Sequence, residues 1–304
     1  MRRREFTALV VGAAVGWPLT ARAQPSSKVY RLGYLAQHRV PLGIETLQAA
    51  LRELGYVQGQ NLKVEYRFGG SQPALDVLAA ELVALGPDTI VAVGTPPALA
   101  AKRATTSIPI VMGPINDTLR AGIVASLARP GGNITGVSEY GSELSRKRVE
   151  VLKEAVPGIA HLAVLGNVAN LLNQYLWEDA QLAARVLEIE PRLFTVREPA
   201  EFGEAFAAMQ QSGAHAVSVL ADTLFWSVRH QIIVLAAEHR FPAMYEGQEF
   251  VVDGGLISYG PKVVELIRRS AVFVDKILKG AKPGDLPIER PTWHLRNLAF
   301  CCHY

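Results

Sequence analysis

"VAVGTPPALAAK", Val91 to Lys102, is an apolar, β-branched run that stops at a glycine and resumes as a helix former. Gly94 permits a tight turn. Thr95 stands where a helix cap is expected, and Pro96 where the first helical residue belongs, a position at which a missing N–H costs nothing. A strand, turn and helix in this order leave backbone N–H groups at the end of a sheet, where the positive helix end favours a carboxylate or another anion. An ordinary, well-capped βα loop fits the same residues. Two phosphate motifs do not fit: Gly94 to Lys102 lacks the second glycine of a P-loop, and no G-x-G-x-x-G follows any strand-like run.

The same alternation runs outward in both directions. Before the opening stretch lie the strands "KVYRLGYL" (28–35) and "NLKVEYRF" (61–68), with the helices "LGIETLQAALRELG" and "PALDVLAAELVALG" after them. Ile44, Leu47, Leu51 and Leu54 share one helical face, as do Leu75, Leu78, Leu82 and Leu85. After it come "IPIVMG" as a strand, "DTLRAGIVASLA" (117–128) as a predicted helix, and "NITGVS" as a strand. The second half repeats the plan from "ELSRKRVEVLKEAV" to the long helix "KVVELIRRSAVFVDKILKG", through strands at 161–166, 192–197, 215–221, 241–246 and 254–260. Helices between nearly continuous apolar strands predict an α/β protein of two Rossmann-like lobes, each a parallel sheet covered on both faces.

Composition narrows the function. Of 304 residues, 49% are hydrophobic and 19% charged, which fits a globular chain. Residues 1–23 read as a signal peptide: "MRRREF" is a basic start, "ALVVGAAVG" a short apolar run and "ARA" a cleavage signal. The apolar run is too short to span a bilayer. Arg3-Arg4-Glu5-Phe6 also fits a twin-arginine signal, so either that route or Sec is open. This segment holds four arginines and one glutamate, and so accounts for the whole formal charge of +3. The remainder is neutral, which argues against a nucleic-acid partner. A periplasmic, soluble protein is expected.

Ligands of open parallel sheets bind outside the carboxyl ends of the strands. Those ends are rich in Thr, Asn, Asp and aromatics but contain no catalytic set. "ADTLFW" places Asp222 directly after a strand, with Phe225 and Trp226 close behind. An acid beside rings accommodates an ammonium next to a flat body, and the same residues equally fit a helix cap with core aromatics. Asn116 and Asp117 in "GPINDT", and Asn167 and Asn170 in "GNVANLLN", divide in the same way between ligand and turn. No G-x-S-x-G, H-E-x-x-H or spaced Cys/His set occurs. The seven histidines are scattered, and Cys301 and Cys302 form only an adjacent pair in "CCHY". No enzyme activity, metal or cofactor is expected.

"GYVQGQNLKVEYRF", "GTPPALAAKRATTSIPIVM", "GIVASLARPGGNITGVS", "KRVEVLKEAVPGIAHLAVL", "FPAMYEGQEFVVDGGLISYG" and "ILKGAKPGDLPIERPT" resemble, in order and spacing, the tryptophan/tyrosine-type ABC transporter substrate-binding proteins. The resemblance spans about Val29 to Thr292. It implies the type 1 periplasmic binding fold, with two lobes joined by three crossovers near 136–142, 257–262 and 286–291. Lobe 1 would comprise 28–138 and 262–285, and lobe 2 would comprise 139–261 and 286–304. Matching cleft positions are Thr95, Pro96, Asp117, Asn167, Asp222, Tyr245 and Tyr259. The implied role is capture of a small amphipathic ligand, an amino acid or aromatic acid, by a monomer that serves an ABC permease in the inner membrane. A sensing subunit for a membrane signalling protein is the alternative. Family members continue beyond Thr292 with a strand and helix, whereas this chain reads "WHLRNLAFCCHY". A frameshifted or truncated end, with one open sheet edge, is therefore expected.

Overall fold

A computed structural model describes residues 28–290 and 298–300. The predicted signal peptide, Cys301, Cys302 and most of the departing C-terminal stretch lie outside the described residues.

The chain opens with β1 (Tyr30–Ala36), α1 (Pro41–Glu53), β2 (Leu62–Phe68), α2 (Gln72–Ala84), β3 (Thr89–Val93), α3 (Thr95–Ala104), β4 (Ile110–Asn116) and β5 (Ile134–Glu139). These strands form one parallel sheet in the order β2-β1-β3-β4-β5. Alternation within the strands splits the core in two. Leu32, Tyr34 and Val91 face α1, while Leu35, Ile90 and Ala92 face α2 and α3. Burial on both faces explains why the strands read as continuous apolar runs rather than alternating ones.

The second sheet follows: α4 (Gly141–Ala155), β6 (His161–Asn167), α5 (Leu171–Val186), β7 (Glu190–Val196), α6 (Phe202–Gln211), β8 (Ala216–Val219), α7 (Thr223–Ser227), α8 (Arg229–Glu238), β9 (Ala243–Tyr245), α9 (Gln248–Val252) and β10 (Ile257–Tyr259). Its parallel order, β7-β6-β8-β9-β10, repeats the winding of the first sheet. The chain then returns. α10 (Val263–Leu278) packs Leu266, Phe273 and Val274 into the first lobe's core, and Tyr56 Oη donates to Asp275 at 3.0 Å. Leu286 and Ile288 also pack with first-sheet clusters, and Glu289 bridges Val137 of β5. β11 (Leu298–Phe300) pairs antiparallel with β10.

Two expectations are corrected. Residues 117–128 form turns, not a helix, because Asp117 (φ 45°) and Gly122 (φ 68°) both take left-handed backbone. Ile123 and Val124 still reach the core from these turns. Asp222 caps α7, its side chain accepting the Leu224 N–H at 2.8 Å. The β10 edge is not open, since β11 pairs with all three of its residues. Among the described residues, no helix is long and apolar enough to cross a membrane.

Candidate functional site

Both sheets reverse their strand order at the same place, between β1 and β3 in the first and between β6 and β8 in the second. The carboxyl ends flanking a reversal diverge and leave a crevice. The two crevices face each other across one cavity of about 1000 Å³, counting its open mouth. The first lobe supplies Tyr34, His38, Val93, Gly94, Thr95 and Asn116 to its wall, and the second supplies Asn170, Asp222, Thr223, Trp226 and Glu246. Glu139, the last residue of β5, lies where the chain passes between lobes, and Val263, Ile267 and Ser270 of α10 close one side. The wall is mostly apolar with a few polar groups, the usual make-up of a small-molecule site.

The lobes touch at the mouth. Thr223 Oγ1 donates to Gln37 Oε1 at 3.0 Å, and Gly94 lies so close that a Cβ there would stand 3.1 Å from Thr223 Cγ2. Gly94, with φ 92°, is the cap position of α3, and Thr95 is already its first helical residue. This shifts the expected cap by one residue and changes the chemistry. Thr95, Pro96 and Pro97 form the first turn, and the two prolines have no N–H. Thr95 alone among them offers a backbone donor to an anion.

Asp222 is 5% exposed and fully occupied. Its Oδ1 accepts from Asn167 Nδ2 at 3.0 Å and Leu224 N at 2.8 Å. Its Oδ2 accepts from Asn170 Nδ2 at 2.8 Å and Asn173 Nδ2 at 3.2 Å. Burial pushes its carboxyl above the ordinary value while these bonds pull the other way. β6 and the start of α5 deliver the asparagines, and Asn173 Oδ1 also receives the Asn167 N–H at 2.9 Å.

Of the sequence-predicted residues, Thr95 and Asp222 line the cavity, as do Asn116 and Asn170, which the sequence left divided between ligand and turn. Asn167 stands one layer behind as a support of Asp222. Pro96 does not line the wall, and its carbonyl accepts from Gln72 Nε2 at 3.4 Å. Asp117 is turned toward α4, where Ser142 Oγ donates to it at 2.7 Å. Tyr245 is in the second lobe's core, stacked on Phe250 at 4.8 Å. Tyr259 contributes its carbonyl, which Arg148 Nε reaches at 2.8 Å.

Sequence reasoning missed Glu139 and Glu246. Both are buried carboxyls on the cavity wall, and Arg148 beneath them donates through Nη2 to the Glu246 carbonyl at 3.2 Å. Burial pushes Glu139 up to about 7 and Glu246 well above the ordinary range. The available signal was an acid ending an apolar strand run, in "NITGVSE" and "FPAMYE". His38, also on the wall, is held below its usual value by burial. Trp226 and Tyr34 give the wall its rings, Trp226 set edge-on to Phe250 at 5.7 Å and Tyr34 tilted against Tyr66 at 5.4 Å.

The family described as ABC transporter substrate binding protein matches residues 41–294. A tyrosine-binding protein of Clostridioides difficile strain R20291 is 27% identical over 240 residues, which are 79% of this chain and 69% of that protein. Two solved structures are each 26% identical and cover 87% of this chain and 90% of their own. One is an ABC domain from Streptococcus pneumoniae in complex with L-Trp, with a TM-score of 0.78. The other is a conserved domain protein from Vibrio cholerae, with a TM-score of 0.80.

Proposed function

The chain belongs to the ABC transporter substrate-binding protein family, and we propose that it is the exported, ligand-capturing subunit of an importer. Members of this family bind ligands for transport outside the cytoplasm. In this reading the chain is a periplasmic monomer that takes a small amphipathic ligand, of amino-acid or aromatic-acid type, between its lobes. It then passes that ligand to an ABC permease in the inner membrane and makes or breaks no covalent bond.

The observation that carries this reading is the single cavity bounded by the carboxyl ends of both sheets, at both strand-order reversals. A ligand there is wrapped by two lobes at once, so binding energy and lobe closure are one event. Rings at Tyr34 and Trp226 provide flat apolar surface, and Thr95 and the Asp222 region provide polarity on opposite walls. The ligands of the tyrosine-binding relative and of the pneumococcal L-Trp complex support an aromatic or apolar ligand body.

The test is thermal-shift and calorimetric titration of the purified protein against amino acids, aromatic acids and aromatic amines. One ligand per chain, a raised unfolding temperature and chemically unchanged ligand on recovery are expected. At a hundredfold excess over Kd, stabilisation by mass action is about 2.7 kcal/mol. Absence of binding across the panel, or turnover of a bound compound, contradicts the reading.

A further inference from the structure

We propose that the cavity recognises a cationic nitrogen, seated among Asn116, Glu139 and Glu246, and has no built counterpart for a ligand carboxylate. An aromatic or apolar primary amine then binds more tightly than the α-amino acid with the same side chain. This rests on the cavity being the ligand site.

One part of the wall gathers acceptors that lack donors. Asn116 and Glu139 are register partners on adjacent strands, and Glu139 and Glu246 lie close enough to repel one another. All three are on the cavity wall and at least nine-tenths buried. Asn116 Oδ1 has no hydrogen-bond donor. Among the described residues no donor reaches the Glu139 carboxyl, and the Glu246 carboxyl receives only the Asp222 N–H, at 3.4 Å. Buried acceptors are ordinarily paired, so this group calls for N–H donors from an occupant. An ammonium supplies three donors, and its charge favours the ionised form that burial disfavours in both acids.

Nothing comparable awaits an anion. No lysine or arginine lines the cavity. Arg148, the guanidinium nearest the acids, is buried behind them and directs Nε and Nη2 to the Tyr259 and Glu246 carbonyls. His38 is held toward its neutral form by burial. The α3 terminus, which the sequence alone suggested for a carboxylate, has lost two donors to Pro96 and Pro97. Asp222 is already saturated by four donors, so it contributes field rather than a hydrogen bond to the occupant. A ligand carboxylate would add a further acid to a poorly solvated space that already disfavours charge on Glu139 and Glu246.

The experiment is calorimetric titration at pH 7.5 of three matched sets: phenethylamine, tyramine and tryptamine; phenylalanine, tyrosine and tryptophan; and the corresponding arylpropionic acids. The expected result is that the best amine binds about tenfold or more tightly than its amino acid, with no heat from the acids. Glu246→Gln, or Glu139→Gln should the first variant not fold, is expected to weaken that amine about tenfold or more while the unfolding temperature holds or rises. An amino acid or acid that binds as tightly as the amine overturns the inference and leaves ligand capture standing, as does a Gln variant with unchanged amine affinity. Binding by no member of any set defeats both.

Discussion

Glu139 is a carboxyl that the fold keeps from ionising until about neutral pH. Burial is the main cause, Glu249 and Asp117 add repulsion, and only Arg148 opposes them. In the unfolded chain the same group titrates near its ordinary 4.5. Between these values the native state holds a proton that the unfolded state has lost, so stability is greatest below 4.5 and falls as pH rises to about 7. A rise from 4.5 to about 7 corresponds to about 3 kcal/mol. Chemical denaturation of the ligand-free protein from pH 5 to 8 is expected to show this decline, and Glu139→Gln to lessen it, with Glu246 supplying the remainder, and to raise stability at pH 8. An unchanged slope in the variant would assign the decline to another group. Asp222 was legible in the sequence as an acid at a strand end, but its saturation was not. The three asparagines lie 49 to 55 positions away, on β6 and α5, and only the fold brings them to one carboxylate. Glu139 and Glu246 escaped notice for a similar reason, since an acid at a strand end reads as solvated until a second lobe covers it.

Among the elements, the β3–α3 turn does most to set how the lobes meet. Gly94 takes a backbone conformation nearly reserved for glycine and presents a bare face to Thr223 of the opposite lobe. Gly94→Ala is expected to cost about 1–3 kcal/mol of stability through strain and to weaken ligand binding by holding the lobes apart. Removing the obstructing methyl with Thr223→Ser, in the Gly94→Ala background, is expected to restore affinity but not stability. Calorimetry and thermal denaturation of the single and double variants separate the two effects, and a double variant that recovers neither would show the contact to be unimportant for closure. Most elements were legible from apolar period alone, because strands buried on both faces and helices with one apolar stripe leave distinct patterns. Residues 117–128 broke that rule. Their apolar spacing is helical, but Gly122 and Asp117 turn left-handed and free Arg120 to reach Glu178 and Asp179 of α5 at 2.8 and 2.7 Å. An intrinsic pattern cannot announce a tie to a helix some sixty residues away.

For the molecule as a whole, two copies of one winding placed mouth to mouth produce a site that neither half contains. The family resemblance carried by "ASLARPGG" and "ILKGAKPGDLP" pointed to this architecture, while the electrostatic make-up of the cavity became visible only once both rims were assembled. Binding should shift the population of open and closed forms toward the closed one, in which Gln37 and Thr223 are bonded. Hydrogen-exchange mass spectrometry with and without saturating ligand measures both rims in one experiment. Protection is predicted to rise together in segments 93–98 and 220–227, on opposite lobes, with little change at the far ends of either sheet. Protection confined to one lobe, or located away from these strand ends, would contradict a ligand held between the two.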